Sequence, residues 1–213
     1  MKGMKLKGRI YILGLLMIIV IGCTPKKIVT VPPNIDLRTY ENIGIIEFSS
    51  NANSQLQQYT SQTFIRTIQS SQPGVRILEL GNAEQVLKSV QHHQLNLEAI
   101  QAIGKKYNVE ALISGHMDIT DMKPNVKLST VLSSMSVKAD VEASLIARLY
   151  ETESGATIWT DSARGKKEVA HVNMVSNGAA SFDVSDPESA YGKLANWLVQ
   201  RITQGFRETY KRI

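Results

Sequence analysis

Strict alternation of side-chain character over residues 141–150 constrains the fold more than any other stretch. The odd positions are all aliphatic: Val141, Ala143, Leu145, Ala147 and Leu149. The even positions are mostly polar or amphipathic: Glu142, Ser144, Ile146, Arg148 and Tyr150. Because successive side chains of a β-strand point to opposite faces, this pattern predicts a strand with one face covered and one wetter face. Residues 151–155 then predict a turn, with Gly155 able to adopt a positive φ, and residues 156–167 the returning strand of a hairpin.

The region before this hairpin predicts strands and helices in alternation. Three short apolar runs rich in β-branched residues are typical of buried strands: residues 43–48, 75–80 and 109–119. Residues 55–70 carry apolar side chains at helical spacing, and so do the two segments that Asn82 and Asn96 can cap. The order is therefore β-α-β-α-α-β.

A long helix is predicted near the end of the chain. Ser185-Asp186-Pro187-Glu188 combines a capping residue with proline at the first helical position. One face of this helix is apolar: Tyr191, Leu194, Ala195, Leu198, Ile202 and Phe206. The predicted fold class is α/β, with a mixed α+β sheet, in which the β-α-β-α-α-β order is followed by an antiparallel hairpin and this helix packs on the sheet.

The N-terminus has the organisation of a secretory signal. Four cations precede an apolar run over residues 10–21: Lys2, Lys5, Lys7 and Arg9. A helix of that length spans about 18 Å, which is shorter than the roughly 30 Å hydrocarbon core of a bilayer. Residues 1–22 are therefore predicted to be a cleaved lipoprotein signal peptide rather than a membrane-spanning helix.

Cys23, the only cysteine, directly follows that run. Val20-Ile21-Gly22-Cys23 resembles the lipobox of bacterial lipoproteins. The resemblance implies a thioether-linked diacylglyceryl group on Cys23, cleavage before it, and acylation of the new amino group with a chain such as palmitate. Three acyl chains hold a protein on a membrane far more firmly than one. Thr24 stands where an aspartate would resemble an inner-membrane retention signal, which favours the outer membrane, with the domain facing the periplasm.

Charge gives no indication of a nucleic-acid partner. The formal net charge is +5, from 24 basic and 19 acidic side chains. The four cations of the leader account for most of it, and 20 basic and 19 acidic side chains remain without them. A basic stripe that tracks phosphates is therefore not implied.

Residues 23–39 are predicted to be a lipidated tether. Pro25, Pro32 and Pro33 favour an extended chain, and no apolar period is visible between them. Folded structure is expected to begin near Tyr40. Residues 40–213 are then a single periplasmic domain, since 43% hydrophobic residues is a globular composition.

No residue pattern predicts an enzyme, a metal site or a cofactor. His92 and His93 point about 100° apart on a helix and are poor joint ligands. His116 is expected to be a sheet-face histidine, and His171 lies in a polar loop without a visible partner. Asp118 and Asp121 are attributed to turn chemistry. The remaining candidates receive structural roles: helix-end cations at Lys105 and Lys106, and core or interface anchors at Trp159 and Trp197.

Three segments resemble one family of envelope domains. They are Ile43-Gly44-Ile45-Ile46-Glu47-Phe48, the run from Ile103 to Gly115, and the hairpin from Ala147 to Trp159. Together they resemble the periplasmic α/β domain of CsgG-like curli-secretion lipoproteins and the related TolB N-terminal domain, over roughly residues 40–210. Glu110 stands where an aspartate is more usual, and Ser154-Gly155-Ala156 departs from the family's Thr-Gly-Glu. These motifs shape turns and core, and they carry no catalytic residue.

The resemblance implies a non-catalytic binding, scaffolding or assembly protein of an envelope machine for secretion, surface structures or wall synthesis. Its partners are expected to be other envelope proteins, and self-association into a homo-oligomer is expected because relatives form rings. A CsgG-type secretion channel is an alternative, but residues 126–140 and 170–186 are short for membrane-spanning hairpins and lack sustained alternation with aromatic girdles. A wall-active hydrolase is a second alternative, although no nucleophile motif is visible.

Overall fold

The computed structural model describes residues 28–51, 54–125, 138–169, 172–174, 180–182 and 187–212. Its strands are β1 (Ile28–Val31), β2 (Ile43–Ile46), β3 (Ser49–Ser50), β4 (Ile77–Gly81), β5 (Ala111–Asn125), β6 (Lys138–Glu151), β7 (Thr157–Val169), β8 (Val172–Met174), β9 (Ala180–Phe182) and β10 (Thr209–Arg212). Its helices are α1 (Ser54–Ser71), α2 (Ala83–Ser89), α3 (Leu97–Tyr107) and α4 (Pro187–Ile202), with short 3-10 helices at Leu37–Thr39 and Gln204–Phe206.

The chain divides into two units. In the smaller one, β1 and β10 form an antiparallel ribbon from Ile28↔Arg212 to Val31↔Thr209. The larger unit, Pro33–Arg207, contains the six-stranded sheet and all four helices.

The sheet of the larger unit is mixed. Its strand order is β4-β2-β5-β6-β7, and the short β3 also pairs with β5. The strands β4, β2, β3 and β5 pair in parallel, whereas β5, β6 and β7 form an antiparallel meander. The predicted fold class and element order are confirmed, including the hairpin and the C-terminal helix on the sheet.

The local signals in the sequence correspond to observed features. The side chains of Asn82 and Asn96 accept hydrogen bonds from the backbone N–H groups of Gln85 and Ala99, at 2.9 and 3.0 Å, and cap α2 and α3. Gly155 has φ +72° in the β6–β7 turn. The five odd-numbered aliphatic side chains of residues 141–149 are all fully buried.

Two apolar clusters lie on opposite faces of the sheet. The larger cluster joins β5, β6 and β7 to α1 and α4, and the smaller one joins β2 and β5 to α2 and α3. A row of rings runs through the larger cluster. Phe48 and Phe64 lie 5.1 Å apart between centroids, Phe64 and Phe206 lie 6.5 Å apart, and Trp159 meets Phe206 at 4.7 Å. Gly115 lets the Phe48 ring lie on β5, since a Cβ there would sit 2.8 Å from that ring.

The predicted start of the folded region is wrong by several residues. Pro33 and Leu37 are buried, and Leu37 belongs to the larger cluster. Asp36 caps the 3-10 helix that follows it, and hydrogen bonds from the Arg38 side chain hold the pKa of Asp36 below its usual range. Residues 33–39, predicted to be tether, are therefore part of the folded unit. Two apolar residues, Ile35 and Leu37, are too few to produce a periodic signal in the sequence.

The structure describes parts of residues 126–140 and 170–186, the two segments considered above for a channel. Residues 138–140 belong to β6, which pairs with β5 as far as Asn125↔Lys138. Within residues 170–186, β8 and β9 form a small antiparallel hairpin. The other residues of both segments lie outside the described part of the chain.

The buried side chain of Gln72 connects both ends of the larger unit. Only 1% of Gln72 is exposed. Its Oε1 accepts from the N–H of Leu37 at 2.8 Å, and its Nε2 donates to the carbonyls of Ile35 at 2.6 Å and Phe206 at 2.9 Å. A direct bond from the N–H of Ile35 to the carbonyl of Gly205, at 3.1 Å, adds to this junction. One amide side chain therefore holds the end of α1, the start of the folded chain and the segment after α4.

We expect Gln72→Leu to destabilise the protein strongly. The substitution keeps an apolar side chain in place but leaves the Leu37 N–H and two carbonyls without their partner. Each buried, unpaired backbone group costs about 1–3 kcal/mol, and a total loss of about 2–4 kcal/mol is expected in the free energy of unfolding, measured by urea titration. The control is Gln69→Leu, an exposed position on the same helix, where a change within about 0.5 kcal/mol is expected. Equal effects of the two substitutions would contradict the role of Gln72.

Candidate functional site

One half of the sheet leaves a face open to solvent. Helices α2 and α3 cover this face at β2 and the start of β5, where Leu112 and Tyr150 are buried. Beyond them, the described side chains of this face are half-buried or exposed. We call this surface the open face: Ser114, His116, Asp118, Glu142, Ser144, Ile146, Arg148, Thr160, Ser162, Arg164 and Lys166.

The open face is polar and mixed in charge. Arg164 pairs with Glu142 across β6 and β7. Ile146, opposite both His116 and Ser162 in the strand register, is the one aliphatic side chain of the described open face. Within the described residues β7 pairs only with β6, so its outer edge offers backbone donors and acceptors to another chain.

A small pocket lies where the open face meets the carboxyl ends of the parallel strands. We call it the carboxyl-end pocket; its volume is about 190 Å³. Ile46, Leu87, Leu95 and Ile146 provide apolar walls, and its polar lining is Glu47, Ser49, Ser114, His116 and Arg148. Crevices at this end of parallel strands are common ligand sites in α/β proteins.

A serine and a histidine are in contact in this pocket. Ser49 Oγ lies 2.8 Å from His116 Nδ1, because β3 pairs with β5 in the register Ser49↔His116. The expected role of His116 as a sheet-face histidine with a hydrogen-bond partner is confirmed. Among the described residues, no carboxylate is hydrogen-bonded to His116, and both side chains are exposed. The distance between Ser49 and His116 is within the range of a nucleophile–base pair, but among the described residues no third group orients the histidine as in a triad.

Asn51 extends the pairing of β3 with β5 through its side chain. Its Oδ1 accepts from the N–H of Ile119 at 2.9 Å, and its Nδ2 donates to the Ile119 carbonyl at 2.9 Å and to Asp118 Oδ1 at 2.6 Å. The attribution of Asp118 and Asp121 to a turn is wrong, since both residues lie within β5. In β5, polar residues alternate with apolar ones beyond the hydrophobic core. In the sequence alone, this pattern looks like the polar residues of a turn.

A second concave region, the amino-end cleft, is acidic. It has a volume of about 590 Å³ and is lined by Glu41, Glu110, Glu151 and Glu153, with Lys105 on α3. Glu110 Oε2 accepts from the backbone N–H of Glu41 at 2.8 Å, which gives this residue a structural role. Burial raises the pKa of Tyr40 in this cleft, and the carboxylates of Glu151 and Glu110 raise it further. Where the structure describes side chains, no group of three or more His, Cys, Asp or Glu is arranged to hold a metal ion.

The other predicted residues have separate positions. His92 and His93 follow the end of α2 rather than lying within it, after Gln91 at φ 62°. Trp159 is a core anchor, as predicted, whereas Trp197 is 40% exposed and lies over Gly165. Lys105 and Lys106 are in the last turn of α3, as predicted. His171 and Cys23 lie outside the described residues.

In the described part of the chain, no helix combines the length and the hydrophobicity needed to cross a membrane.

No family model matches the sequence, and no curated protein is significantly similar to it. Several solved structures are similar in fold. A PelC dodecamer from Paraburkholderia phytofirmans is 9% identical, with a TM-score of 0.43, over 85% of this chain and 96% of that chain. Lipoprotein GNA1162 from Neisseria meningitidis is 14% identical, with a TM-score of 0.37, over 76% and 94%. The LpoB C-terminal domain from Salmonella enterica is 10% identical, with a TM-score of 0.35, over 64% and 86%.

At 9%, 14% and 10% identity, these likenesses concern the fold alone. The similar structures include a bacterial lipoprotein. The resemblance to CsgG-like and TolB N-terminal domains stays a prediction.

Proposed function

We propose that this chain is a lipid-anchored protein of the bacterial cell envelope that acts by binding other envelope proteins and not by catalysis. The proposed cellular location is supported by the sequence of the N-terminus. There the lipobox-like Val20-Ile21-Gly22-Cys23 follows a cationic and apolar leader. Thr24 favours the outer membrane, with the folded unit in the periplasm.

The open face is the surface that we propose binds partner proteins. It combines a half-buried aliphatic side chain, Ile146, with cations at Arg148 and Arg164 and an adjoining sheet edge at β7. A central apolar group within a polar rim is the usual arrangement of a protein–protein interface. An added strand along β7 would extend the sheet, and a second copy of this chain is one candidate for that strand.

The anchor is tested by replacing the acylated residue. In Cys23→Ser cells we expect no incorporation of labelled palmitate and no processing at residue 23, because the thiol that receives the diacylglyceryl group is lost. Metabolic labelling, with mass spectrometry of the N-terminal peptide, measures both. Thr24→Ser keeps Cys23 and should be labelled normally. Full acylation of the Cys23→Ser protein would contradict the anchor.

The binding surface is tested by photo-crosslinking in cells. A benzoyl-phenylalanine placed at position 146 or 162 of the open face should give discrete crosslinked species, and one at the exposed position 69 of α1 should not. Combining position 146 with Arg148→Glu and Arg164→Glu should reduce the yield severalfold, because reversed charges oppose the partner's surface. Lys88→Glu with Lys105→Glu, two exposed changes on α2 and α3, is the matched control. Equal yields from positions 146 and 69 would contradict the proposed surface.

A hydrolase is the second candidate because of the contact between Ser49 and His116. In such an enzyme the Ser49 proton would pass to His116 as the oxygen attacks the substrate carbonyl. A fluorophosphonate probe should then label Ser49, and Ser49→Ala should abolish the labelling. His116→Ala should weaken it, whereas Ser114→Ala, in the same pocket, should leave it unchanged. Absence of labelling at Ser49 in the folded protein would contradict this candidate.

A further inference from the structure

The outer surface of the helical layer contains a polar groove between α1 and α4. The groove has a volume of about 420 Å³. Its lining contains one charged group, Arg66, together with hydroxyl and amide side chains: Tyr59, Thr63, Thr67, Ser70 and Asn196. The guanidinium of Arg66 is the group suited to bind phosphate oxygens, since the hydroxyls of Thr67 and Ser70 donate to carbonyls of their own helix.

Arg207 is connected to this groove through Gln200. The Arg207 guanidinium donates to the carbonyl of Gln200 at 3.2 Å, and Gln200 Nε2 lies 3.4 Å from Thr67 Oγ1, which lines the groove. Arg201 follows Gln200 in α4 and is an exposed cation, and its side chain points about 100° away from that of Gln200 around the helix. We call Arg66, Arg201 and Arg207 the arginine cluster.

No carboxylate of the described residues neutralises the arginine cluster. None of its three members forms an ion pair with a described carboxylate. Helix α1 contains no acidic residue, and the only acid of α4 is Glu188, in its first turn. Glu79 reaches α1 one turn before Arg66, where it accepts from Gln62 Nε2.

Arg207 lies near the point where the tether enters the folded unit. The unit begins at Pro33, and Ile35 is hydrogen-bonded to Gly205, two residues before Arg207. Pro33 is ten positions after Cys23 in the chain. At about 3.3–3.6 Å per residue, Pro33 can lie no more than roughly 35 Å from an acylated Cys23. An acyl anchor at Cys23 would therefore hold Pro33, and with it this end of the unit, within about that distance of the bilayer.

We infer that the arginine cluster and the groove form a docking surface for the anionic headgroups of a lipid bilayer. The lipid phosphate binds at Arg66 in the groove, and Arg201 and Arg207 add attraction to neighbouring headgroups. This contact is a second, electrostatic attachment beside the acyl chains, and it sets the orientation of the folded unit on the membrane. This inference rests on the proposed function in one respect: the acyl anchor is what brings the folded unit close to a membrane.

The test uses the chain from residue 23 onward with Cys23→Ser, which keeps all described residues and needs no acylation. Sedimentation with vesicles of phosphatidylcholine and phosphatidylglycerol should show binding that weakens with added NaCl, and pure phosphatidylcholine vesicles should show none. Arg66→Gln, Arg201→Gln and Arg207→Gln should each weaken binding about fivefold, and the triple variant on the order of a hundredfold. The three corresponding Arg→Lys changes keep the charge and should retain most of the binding.

Three cations of the open face provide a control with the same loss of charge. Arg148→Gln, Arg164→Gln and Lys166→Gln together should change vesicle binding by less than about threefold, since they lie on the other side of the sheet. Equal loss in both triple variants would mean that net charge alone governs binding, and would overturn the proposal. Displacement by inorganic phosphate at constant ionic strength would assign the groove to a soluble anion and would also overturn it, as would no binding to the anionic vesicles. If the chain is not acylated, the Cys23 labelling experiment will show it, and the vesicle experiment, which uses unacylated protein, will be unaffected.

Discussion

The buried amide of Gln72 places three segments of the larger unit relative to one another. A buried amide is unfavourable unless its donors and acceptor are used. Gln72 satisfies this requirement only when Ile35, Leu37 and Phe206 all lie around the end of α1. The row of rings from Phe48 to Trp159 leads to the same place, since Phe206 is one of its members. The junction therefore determines where the chain enters the fold, where the helical layer ends and where Arg207 is held.

Features that depend on neighbours in the chain could be predicted from the sequence. The caps at Asn82 and Asn96, the turn at Gly155 and the alternation over residues 141–150 each express a local geometry, and the structure contains all of them. The element order follows from these signals, because the period of the apolar residues changes between strands and helices. The fold class was predictable for that reason.

Features that depend on distant residues could not be predicted in the same way. Gln72 is separated by 134 residues from Phe206, and Ser49 by 67 from His116. The two-residue strand β3 and the Asn51 side chain that continues its pairing have no periodic signature. The start of the folded unit was misplaced for the same reason, because Leu37 is recognisable as core only once its contacts are known. The candidate site consists largely of such pairs, so the sequence identified His116 without its partner.

The two proposals concern opposite sides of one sheet, and this geometry connects them. Helices α1 and α4 pack on the face that carries the larger cluster, and the open face is the reverse side of the same strands. If the arginine cluster holds the helical layer against anionic headgroups, the open face points away from the bilayer and the outer edge of β7 points sideways, parallel to it. The amino-end cleft, with its four glutamates, is lined by α3 on that reverse side, where repulsion from the headgroups is weakest. An orientation set by charge would thus present the partner-binding surface to the periplasm, and a freely rotating domain on a flexible tether would present it only part of the time.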